Sequence, residues 1–582
     1  MDSDYLLQEF PPVSTKLWEE VIRRDLKGAD YAKKLIWQTA EGLAVRPYYR
    51  AEDIDGLEYP DAAPGAFPYA RSARSTGDWR IREEIEMADP EEANRAAHSA
   101  VLAGAEEIAF CNAHFENASE VEMFLAGLDE VPVHFENTGE SQLRLLIEHL
   151  NGRHRSSQIS TDWNPLSNLG FAAEVIAATP SALLPFTIHG EKFEESGATA
   201  VEEIGFTLAA AVETMAGMQE RNVNVDRTAA SVAFSFSIGA NFFFQIAKLR
   251  AFRMMWAQVV ESFGGTRESA MSRIHARTSR WNETIYDPHV NILRGTTEAM
   301  SAVFGGADSI TVAPFDECYK TPDEASRRLA RNTQIILKQE ALFSRVADPG
   351  AGSYCLEFIT DYIAREGWKV MQGIEAAGGY GKAQKDGLIA RALEKSLTAR
   401  EEAVSFRRRI FTGTNQHANI SEKALDRIDN SRISDQQRGA RMYEQLRLRT
   451  ERHMARGGKN PRVLLAEIGD AKMRAARSNF ASNIFACAGF DLVAKRFSSA
   501  ERIVASVADL IVLCSSDAEY LVLAIDVIAR LKALGRKTPV IVAGNPDSIE
   551  QLQAAGVADF VHLRSNPIEF LAKWQQRLGI KD

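Results

Sequence analysis

Short apolar runs rich in β-branched residues alternate with helical stretches along most of this 582-residue chain. After residue 461 the runs fall at 463–468, 510–514, 540–542 and 560–563. Strands separated by helices pair in parallel, because the connection between them crosses over the sheet. The pattern predicts an α/β protein whose C-terminal part is a flavodoxin-like, doubly wound sheet with its ligand edge at the carboxyl ends of the strands.

The same alternation fills the first part of the chain. Residues 103–110 and 305–312 each carry a helix end, a Gly-Ala hinge and a β-rich run, and further runs fall at 131–135, 185–189, 231–238 and 272–279. Glycine ends a helix, and the apolar run that follows it is typical of a buried strand. So many repeated units predict a (β/α)8 barrel of the TIM type.

One predicted barrel strand alternates small with large side chains. The small residues are Ser231, Ala233, Ser235 and Ser237. A period of two places them on one face of the strand. If that face looks into the barrel, the interior has room for a threaded ligand; if it lies under the outer helices, the interior is filled in the usual way by bulky side chains.

The regions between these elements divide the chain. Residues 358–453 read as successive helices, and the glycine-containing run 456–461 is a linker. We therefore predict an N-terminal arm at 1–40, a barrel at 41–357, a helical linker region at 358–460 and the wound sheet at 461–582. In the arm, an apolar helical stripe lies between Ser14 and Gly28. Such a stripe packs either on its own body or on a partner subunit, and the sequence leaves both open.

Composition excludes several classes of function. The net charge is -11 and the pI is near 5.7, and no apolar run approaches the roughly 18 residues that span a bilayer, so we expect neither a nucleic-acid partner nor a membrane. The start of the chain lacks the pattern of a secretory signal. The 5 cysteines have no CxxC spacing, which argues against a metal site or a disulfide framework and for a reduced, cytoplasmic chain.

Long segments carry a family resemblance. They are residues 64–69, 79–84, 91–95, 196–200, 287–294, 330–334 and 348–354. On these segments the chain resembles the adenosylcobalamin-dependent acyl-CoA mutases, and among them the small (beta) subunit branch of the methylmalonyl-CoA mutase family. The resemblance implies a barrel threaded by the pantetheine arm of coenzyme A and a separate flavodoxin-like cobalamin domain.

The chain departs from the family where the cobalamin binds. Catalytic members carry Asp-x-His-x-x-Gly after the first strand of the wound sheet, and the histidine coordinates cobalt. Here the loop has no histidine, the later Ser-x-Leu element reads Ser515-Ser516-Asp517, and the following Gly-Gly reads Ala543-Gly544. The degenerate cofactor positions are thus Lys472, Arg474, Arg477, Ser515, Asp517, Ala543 and Gly544. We predict that this chain binds no cofactor.

The barrel departs from the family as well. A family Gly-Tyr-His reads Gly190-Glu191-Lys192, and a family tyrosine five residues before Trp79 is Arg74. His275, on a predicted barrel strand, is the remaining candidate for chemistry, although a histidine beside arginine in a strand is more often structural.

The resemblance and its departures predict a non-catalytic small subunit of a heterodimeric isomerase, methylmalonyl-CoA mutase. A large (alpha) catalytic partner would hold adenosylcobalamin and any acyl-CoA, and interconvert (R)-methylmalonyl-CoA and succinyl-CoA by radical rearrangement. Two alternatives stay open. One is a cobalamin-independent acyl-CoA enzyme using Lys192, Glu191 and His275; the other is an acyl-CoA-binding regulatory protein.

Overall fold

The computed structural model of the chain describes residues 12–151, 155–435 and 437–580. Its first elements are two helices and a two-stranded antiparallel ribbon: α1 (Thr15–Asp25), α2 (Tyr31–Leu35), β1 (Trp37–Gln38) and β2 (Ala44–Val45). The Ser14 hydroxyl accepts a hydrogen bond from the Leu17 N–H at 3.3 Å and so caps α1, while Gly28 turns the chain with φ +86. The helix predicted between these two residues is confirmed.

Nine parallel strand segments follow. They are β3 (Arg80–Ile85), β4 (Glu107–Phe110), β5 (Val133–Phe135), β6 (Ile159–Thr161), β7 (Leu183–Leu184), β8 (Phe186–His189), β9 (Val232–Ile238), β10 (Ile274–Thr278) and β11 (Ser309–Thr311). Their order in the sheet is β7-β6-β5-β4-β3-β11-β10-β9-β8. The first and last members of that order are consecutive in sequence and are separated by Pro185 alone.

Pro185 explains why nine segments make eight strands. Proline has no N–H to donate to a strand ladder, so it interrupts the pairing where it stands. The segment before it pairs with β6 and the segment after it pairs with β9. Together they act as one strand that closes the sheet, and the predicted TIM-type barrel is confirmed.

Helices surround the barrel. They are α3 (Pro90–Leu102), α4 (Ala118–Leu125), α5 (Glu140–Leu150), α6 (Leu169–Ala178), α7 (Glu191–Glu195), α8 (Ala200–Glu220), α9 (Val225–Ala230), α10 (Phe242–Ser262), α11 (Val290–Phe304) and α12 (Glu324–Ile335), the last continued by a π-helical turn at Ile336–Glu340. The helical region adds α13 (Tyr354–Ala376), α14 (Tyr380–Lys385), α15 (Leu388–Ser405), α16 (Asn430–Asp435) and α17 (Arg441–Ala455). Helix α13 packs against α8 and α10, so the boundary predicted near residue 357 falls inside a helix of the barrel's outer layer.

The C-terminal part is a five-stranded parallel sheet in the order β13-β12-β14-β15-β16. Its strands are β12 (Arg462–Glu467), β13 (Asp491–Arg496), β14 (Leu510–Cys514), β15 (Val540–Val542) and β16 (Asp559–Phe560). Its helices are α18 (Ala471–Ala486), α19 (Ala500–Val504), α20 (Tyr520–Ala533), α21 (Ile549–Ala555) and α22 (Pro567–Arg577). The flavodoxin-like prediction is confirmed, although β16 ends early and His562 lies in the turn after it. Among the described helices, none is long and apolar enough to cross a membrane.

Candidate functional site

The small face of β9 does look into the barrel. Ala233 and Ser235 line the lumen, while the rings of Phe234 and Phe236 pack on Phe252 of α10 at 4.6 and 4.7 Å between centroids. Of the two arrangements that the sequence allowed for this strand, the inward one is therefore correct.

The lumen nevertheless has no room for a threaded ligand. Charged side chains from the other strands fill it, and the remaining cavity measures about 90 Å³, against roughly 300 Å³ or more for a typical ligand pocket. Glu107 accepts hydrogen bonds from Arg80 Nε and Arg82 Nε, both at 2.6 Å. Arg277 pairs with Glu84 at 2.8 Å and with Glu317, in the loop after β11, at 2.7 Å. The open interior suggested by the serines of β9 is therefore wrong, because that inference considered one strand only.

The ion pairs set the charge of the lumen carboxyls. Burial disfavours the ionised form of Glu107 and Glu84, but the adjacent arginines outweigh it and lower the pKa of both. For Glu136, at the end of β5, burial raises the pKa to about 7, and repulsion from Glu84 acts in the same direction. The interior thus holds compensated charges in place of the usual layers of valine, isoleucine and leucine.

His189 and Glu191 form a hydrogen-bonded group with Ser235 at the carboxyl end of β8. His189 Nδ1 lies 2.5 Å from Glu191 Oε1, its Nε2 donates to the Asp162 carbonyl at 2.9 Å, and the Ser235 hydroxyl donates to the second oxygen of Glu191. Ser235 Oγ lies 3.5 Å from His189 Nδ1, but Nδ1 is bound to the Glu191 carboxylate and Nε2 to a carbonyl, so the imidazole has no free nitrogen to remove the serine proton. His189 was not among the residues predicted for the site, although its position at the end of a barrel strand was a usable signal.

The His189–Glu191 pair predicts a pH dependence of stability. Burial opposes both charges, but their mutual attraction prevails: it lowers the pKa of Glu191 to about 2 and raises the pKa of His189 above its usual value. The His189–Glu191 pair therefore adds its full contribution to the free energy of unfolding between about pH 4.5 and 6.5. This contribution is lost as the pH falls through about 2 or rises through the folded-state pKa of His189. Measured by urea unfolding, Glu191→Gln should lower the free energy of unfolding more at pH 5.5 than at pH 9.

The matched control for that experiment is Glu195→Gln, which alters a glutamate on the same helix, α7. Glu195 is part-exposed and pairs with Arg280 at 3.0 Å, so its small cost should not follow the titration of His189. Equal costs of Glu191→Gln at both pH values would contradict the assignment.

The other barrel candidates do not come together. His275 is buried in the lumen with Nδ1 held by Ser309 Oγ at 2.9 Å, and burial followed by repulsion from Arg82 puts its pKa well below the usual value. Lys192 is exposed and lines a different cavity beside α14 and α15. Arg74 donates to the Ala307 carbonyl at 3.0 Å and lies 3.4 Å from Asp308, at the amino ends of the strands.

A second barrel cavity, of about 320 Å³, lies at the carboxyl ends of β3 and β11 beside α12. Arg331, on α12, pairs with Glu83 and with Glu324, the latter at 3.5 Å. These contacts hold α12 against β3 and leave Arg331 a structural role.

The degenerate cofactor positions do meet, at the carboxyl edge of the wound sheet. The side chain of Glu519, at the start of α20, fills this edge. Its Oε2 accepts hydrogen bonds from the Asp470 N–H at 3.1 Å, the Ser515 hydroxyl at 2.7 Å and the Ser516 hydroxyl at 2.6 Å. Bonds from the two serine hydroxyls hold the pKa of Glu519 at about 2. A Cβ on Gly469 would lie 2.3 Å from this carboxylate, so the loop closes tightly on it.

The neighbouring groove is also filled by the chain itself. Arg477 pairs with Asp517 at 3.0 Å, and the Tyr520 hydroxyl donates to the Ala543 carbonyl at 2.6 Å. A Cβ on Gly544 would meet Tyr520 at 3.1 Å and Asp517 at 3.2 Å. Lys472 is exposed, and Arg474 donates to the Gly469 carbonyl at 2.8 Å.

This edge does not fit a corrinoid. Its polar groups are the Glu519 carboxylate, the two serine hydroxyls that donate to it, and arginines bound to Asp517 and to the Gly469 carbonyl, with no imidazole after β12. Within the described ranges, no group of three or more histidine, cysteine or acidic side chains is placed to hold a metal ion.

Comparison with known proteins agrees with the fold. The family model for methylmalonyl-CoA mutase matches residues 38–119 and 171–460, most of the barrel and the helical region. The chain is similar to the methylmalonyl-CoA mutase small subunit of Porphyromonas gingivalis, with 36% identity covering 100% of both chains. It is 30% identical to the small subunit from Streptomyces virginiae over 99% of this chain and 98% of that one.

A third relative is the methylmalonyl-CoA mutase of Rhizobium meliloti, 30% identical over 79% of this chain and 73% of its own length. Of these three relatives, the two that match from end to end are both small subunits. The chain belongs to the methylmalonyl-CoA mutase family.

Proposed function

We propose that this chain is the non-catalytic small subunit of a heterodimeric methylmalonyl-CoA mutase. A catalytic partner holds adenosylcobalamin and converts (R)-methylmalonyl-CoA and succinyl-CoA into one another, and this chain contributes interface and stability. The observation that carries the proposal is that the ligand edge of the wound sheet is occupied by Glu519 and by the Arg477–Asp517 pair.

The barrel supports the same proposal. Its lumen leaves about 90 Å³ among ion pairs, below the roughly 300 Å³ of a typical ligand pocket, and this argues against a pantetheine arm threaded through the barrel. The cobalamin-independent enzyme is not favoured, because Lys192 lines one cavity while Glu191 and His275 line another. The small free volume of the lumen also argues against a stand-alone acyl-CoA-binding protein.

The exposed arm supports a partner. Trp18 stacks on Tyr48 at 4.5 Å, and Glu19 accepts a hydrogen bond from the Tyr48 hydroxyl at 2.7 Å. Even so, no residue of α1 is buried, and Leu17 and Trp18 remain 52% and 43% exposed. An amphipathic helix that is fastened on one side and open on its apolar side suits an interface.

We expect the purified chain not to bind adenosylcobalamin, because it has no cobalt ligand and its own side chains fill the tail groove. The measurement is titration of the chain with the cofactor, followed by the corrinoid absorption. Glu519→Ala opens the edge without supplying an imidazole, so this variant should also fail to bind. A micromolar dissociation constant for the unmodified chain would refute the cofactor part of the proposal.

We expect Lys192→Ala and Arg74→Ala to leave turnover of the assembled complex nearly unchanged, because the chemistry takes place in the partner. If this chain ran its own reaction, loss of a positioned donor would cost on the order of 100-fold in rate. The assay uses the complex with saturating cofactor and substrate, and tests the isolated chain on a panel of acyl-CoA thioesters. An acyl-CoA conversion by the isolated chain that Lys192→Ala abolishes would overturn the proposal.

A further inference from the structure

A cavity of about 340 Å³ lies where the helical region meets the wound sheet, apart from the lumen and from the edge that Glu519 fills. Three pieces of chain bound it: the loop after α15, the outer side of α18 and the turn after β16. The lining residues that bear on its function are Phe406, Arg407, Asn479, Phe480, His562 and Leu563.

Arg407 gives the cavity its charge. Apart from His562, it is the one ionisable side chain among the lining residues. Its Nε is buried without a hydrogen-bond partner, and within the described residues no carboxylate lies within ion-pair distance of its guanidinium. A buried donor that is left unpaired destabilises the free protein. The guanidinium is therefore available to an anion that enters the cavity.

The backbone at Arg407 adopts a left-handed conformation that is unfavourable for residues other than glycine. Arg407 has φ +56 and follows the end of α15, with its N–H donating to the Val404 carbonyl at 2.9 Å. Glycine is the favoured residue at such a left-handed position after a helix, because it has no Cβ to clash. An arginine at this position lowers the stability of the fold, and this points to a role for its side chain.

The remaining walls combine neutral donors with apolar surface. His562 Nδ1 accepts a hydrogen bond from the Arg564 N–H at 3.2 Å, so the neutral ring carries its proton on Nε2 as a donor. Asn479 on α18 is exposed and contributes an amide. Phe406 and Phe480 supply apolar surface, and Leu563 is 84% exposed on the turn after β16.

We propose that this cavity binds a small organic carboxylate with an apolar body. The planar guanidinium of Arg407 forms a bidentate pair with the carboxylate, with neutral donors beside it, and the apolar body lies against Phe406 and Phe480. The volume is at the lower end of the range for small-molecule sites, roughly 300–1,000 Å³. The site is independent of the mutase role, since it shares no residue with the lumen or with the edge at Glu519.

The probe is benzoate, titrated into the full chain or its complex with a catalytic partner and followed by calorimetry or ligand-detected NMR. Benzoate should bind saturably. Benzamide, which has the same shape without the charge, should bind about tenfold more weakly, and Arg407→Gln should weaken benzoate by about tenfold or more. Inorganic phosphate should bind more weakly than benzoate, since it has no apolar part.

Two variants separate binding from folding. Arg408→Gln removes the neighbouring arginine, which pairs with Glu402 at 2.8 Å and does not line the cavity, and it should leave benzoate affinity unchanged. Asn479→Phe fills the cavity from an exposed position and should abolish binding while the melting temperature stays close to that of the unmodified chain. Equal affinity for benzoate and benzamide, undiminished binding to Arg407→Gln, or no saturable binding of benzoate at all would each overturn the proposal.

Discussion

Replacing Glu107 with alanine is expected to destabilise the chain by about 3–5 kcal/mol, the usual cost of removing one partner from a buried ion pair. Glu107 is 2% exposed, and it neutralises Arg80 and Arg82 together at the centre of the lumen. Without it, Arg82 is left buried without its ion-pair partner, and Arg80 keeps only the weaker attraction of Asp308 and Glu106. Urea unfolding of the variant and of the unmodified chain at pH 7 measures the difference.

Glu106→Ala is the control for that experiment. Glu106 neighbours Glu107 in sequence, but its side chain is 40% exposed and pairs with Lys338 at 2.7 Å on the outside of the barrel. Its loss should cost no more than about 1 kcal/mol. Similar costs for the two variants would mean that the lumen pairs do not hold the barrel together.

Removing residues 1–28 is expected to weaken the complex with a catalytic homologue by about 100-fold or more. Obligate interfaces bury roughly 2,000 Å² or more, and tryptophan is a frequent anchor in them. Co-expression with the homologue should give a 1:1 complex for the full chain, whereas the truncated chain should elute separately or aggregate. Size-exclusion chromatography and an affinity measurement report the result.

Because truncation could also disturb the fold, paired substitutions within α1 make the test sharper. Leu17→Ala removes an exposed apolar side chain while α1 keeps its cap at Ser14 and the stacking of Trp18 on Tyr48. Arg23→Ala changes the opposite side of the helix, where the side chain is 65% exposed. Weakening by the first variant alone supports an arm that binds the partner, whereas equal behaviour of both variants would count against it.

The architecture could be read from the sequence because buried strands and their helices follow simple periods. The run at 510–514 was placed to the residue, and the 231–238 strand within one residue. Two of the strands that were missed are charged: β3 reads Arg-Ile-Arg-Glu-Glu-Ile and β13 contains Lys495 and Arg496. A third, β6, is uncharged but only three residues long. In β3, Arg80, Arg82 and Glu84 line the lumen and pair with side chains of neighbouring strands, and β13 lies at the edge of its sheet, so neither shows the apolar pattern of a buried strand.

The sites were harder to predict than the fold, because their contacts join residues that are distant in sequence. The absence of a cobalt ligand was visible in the loop after the first strand of the wound sheet. What fills the space was not visible, since Glu519 reaches Asp470 across 49 positions. The lumen was misjudged for the same reason, because the serines of β9 face arginines carried by β3 and β10.

The carboxylate of Glu519 also competes with solutes. A group carried on the same chain is present at an effective concentration of about millimolar or higher, without any loss of translational freedom on binding. A metabolite with a phosphate or carboxylate at micromolar concentration must therefore bind this edge about 1,000-fold more tightly than the Glu519 side chain does in order to displace it. The observed affinity of any such ligand is reduced by the free energy needed to break the hydrogen bonds of Glu519 to Asp470, Ser515 and Ser516.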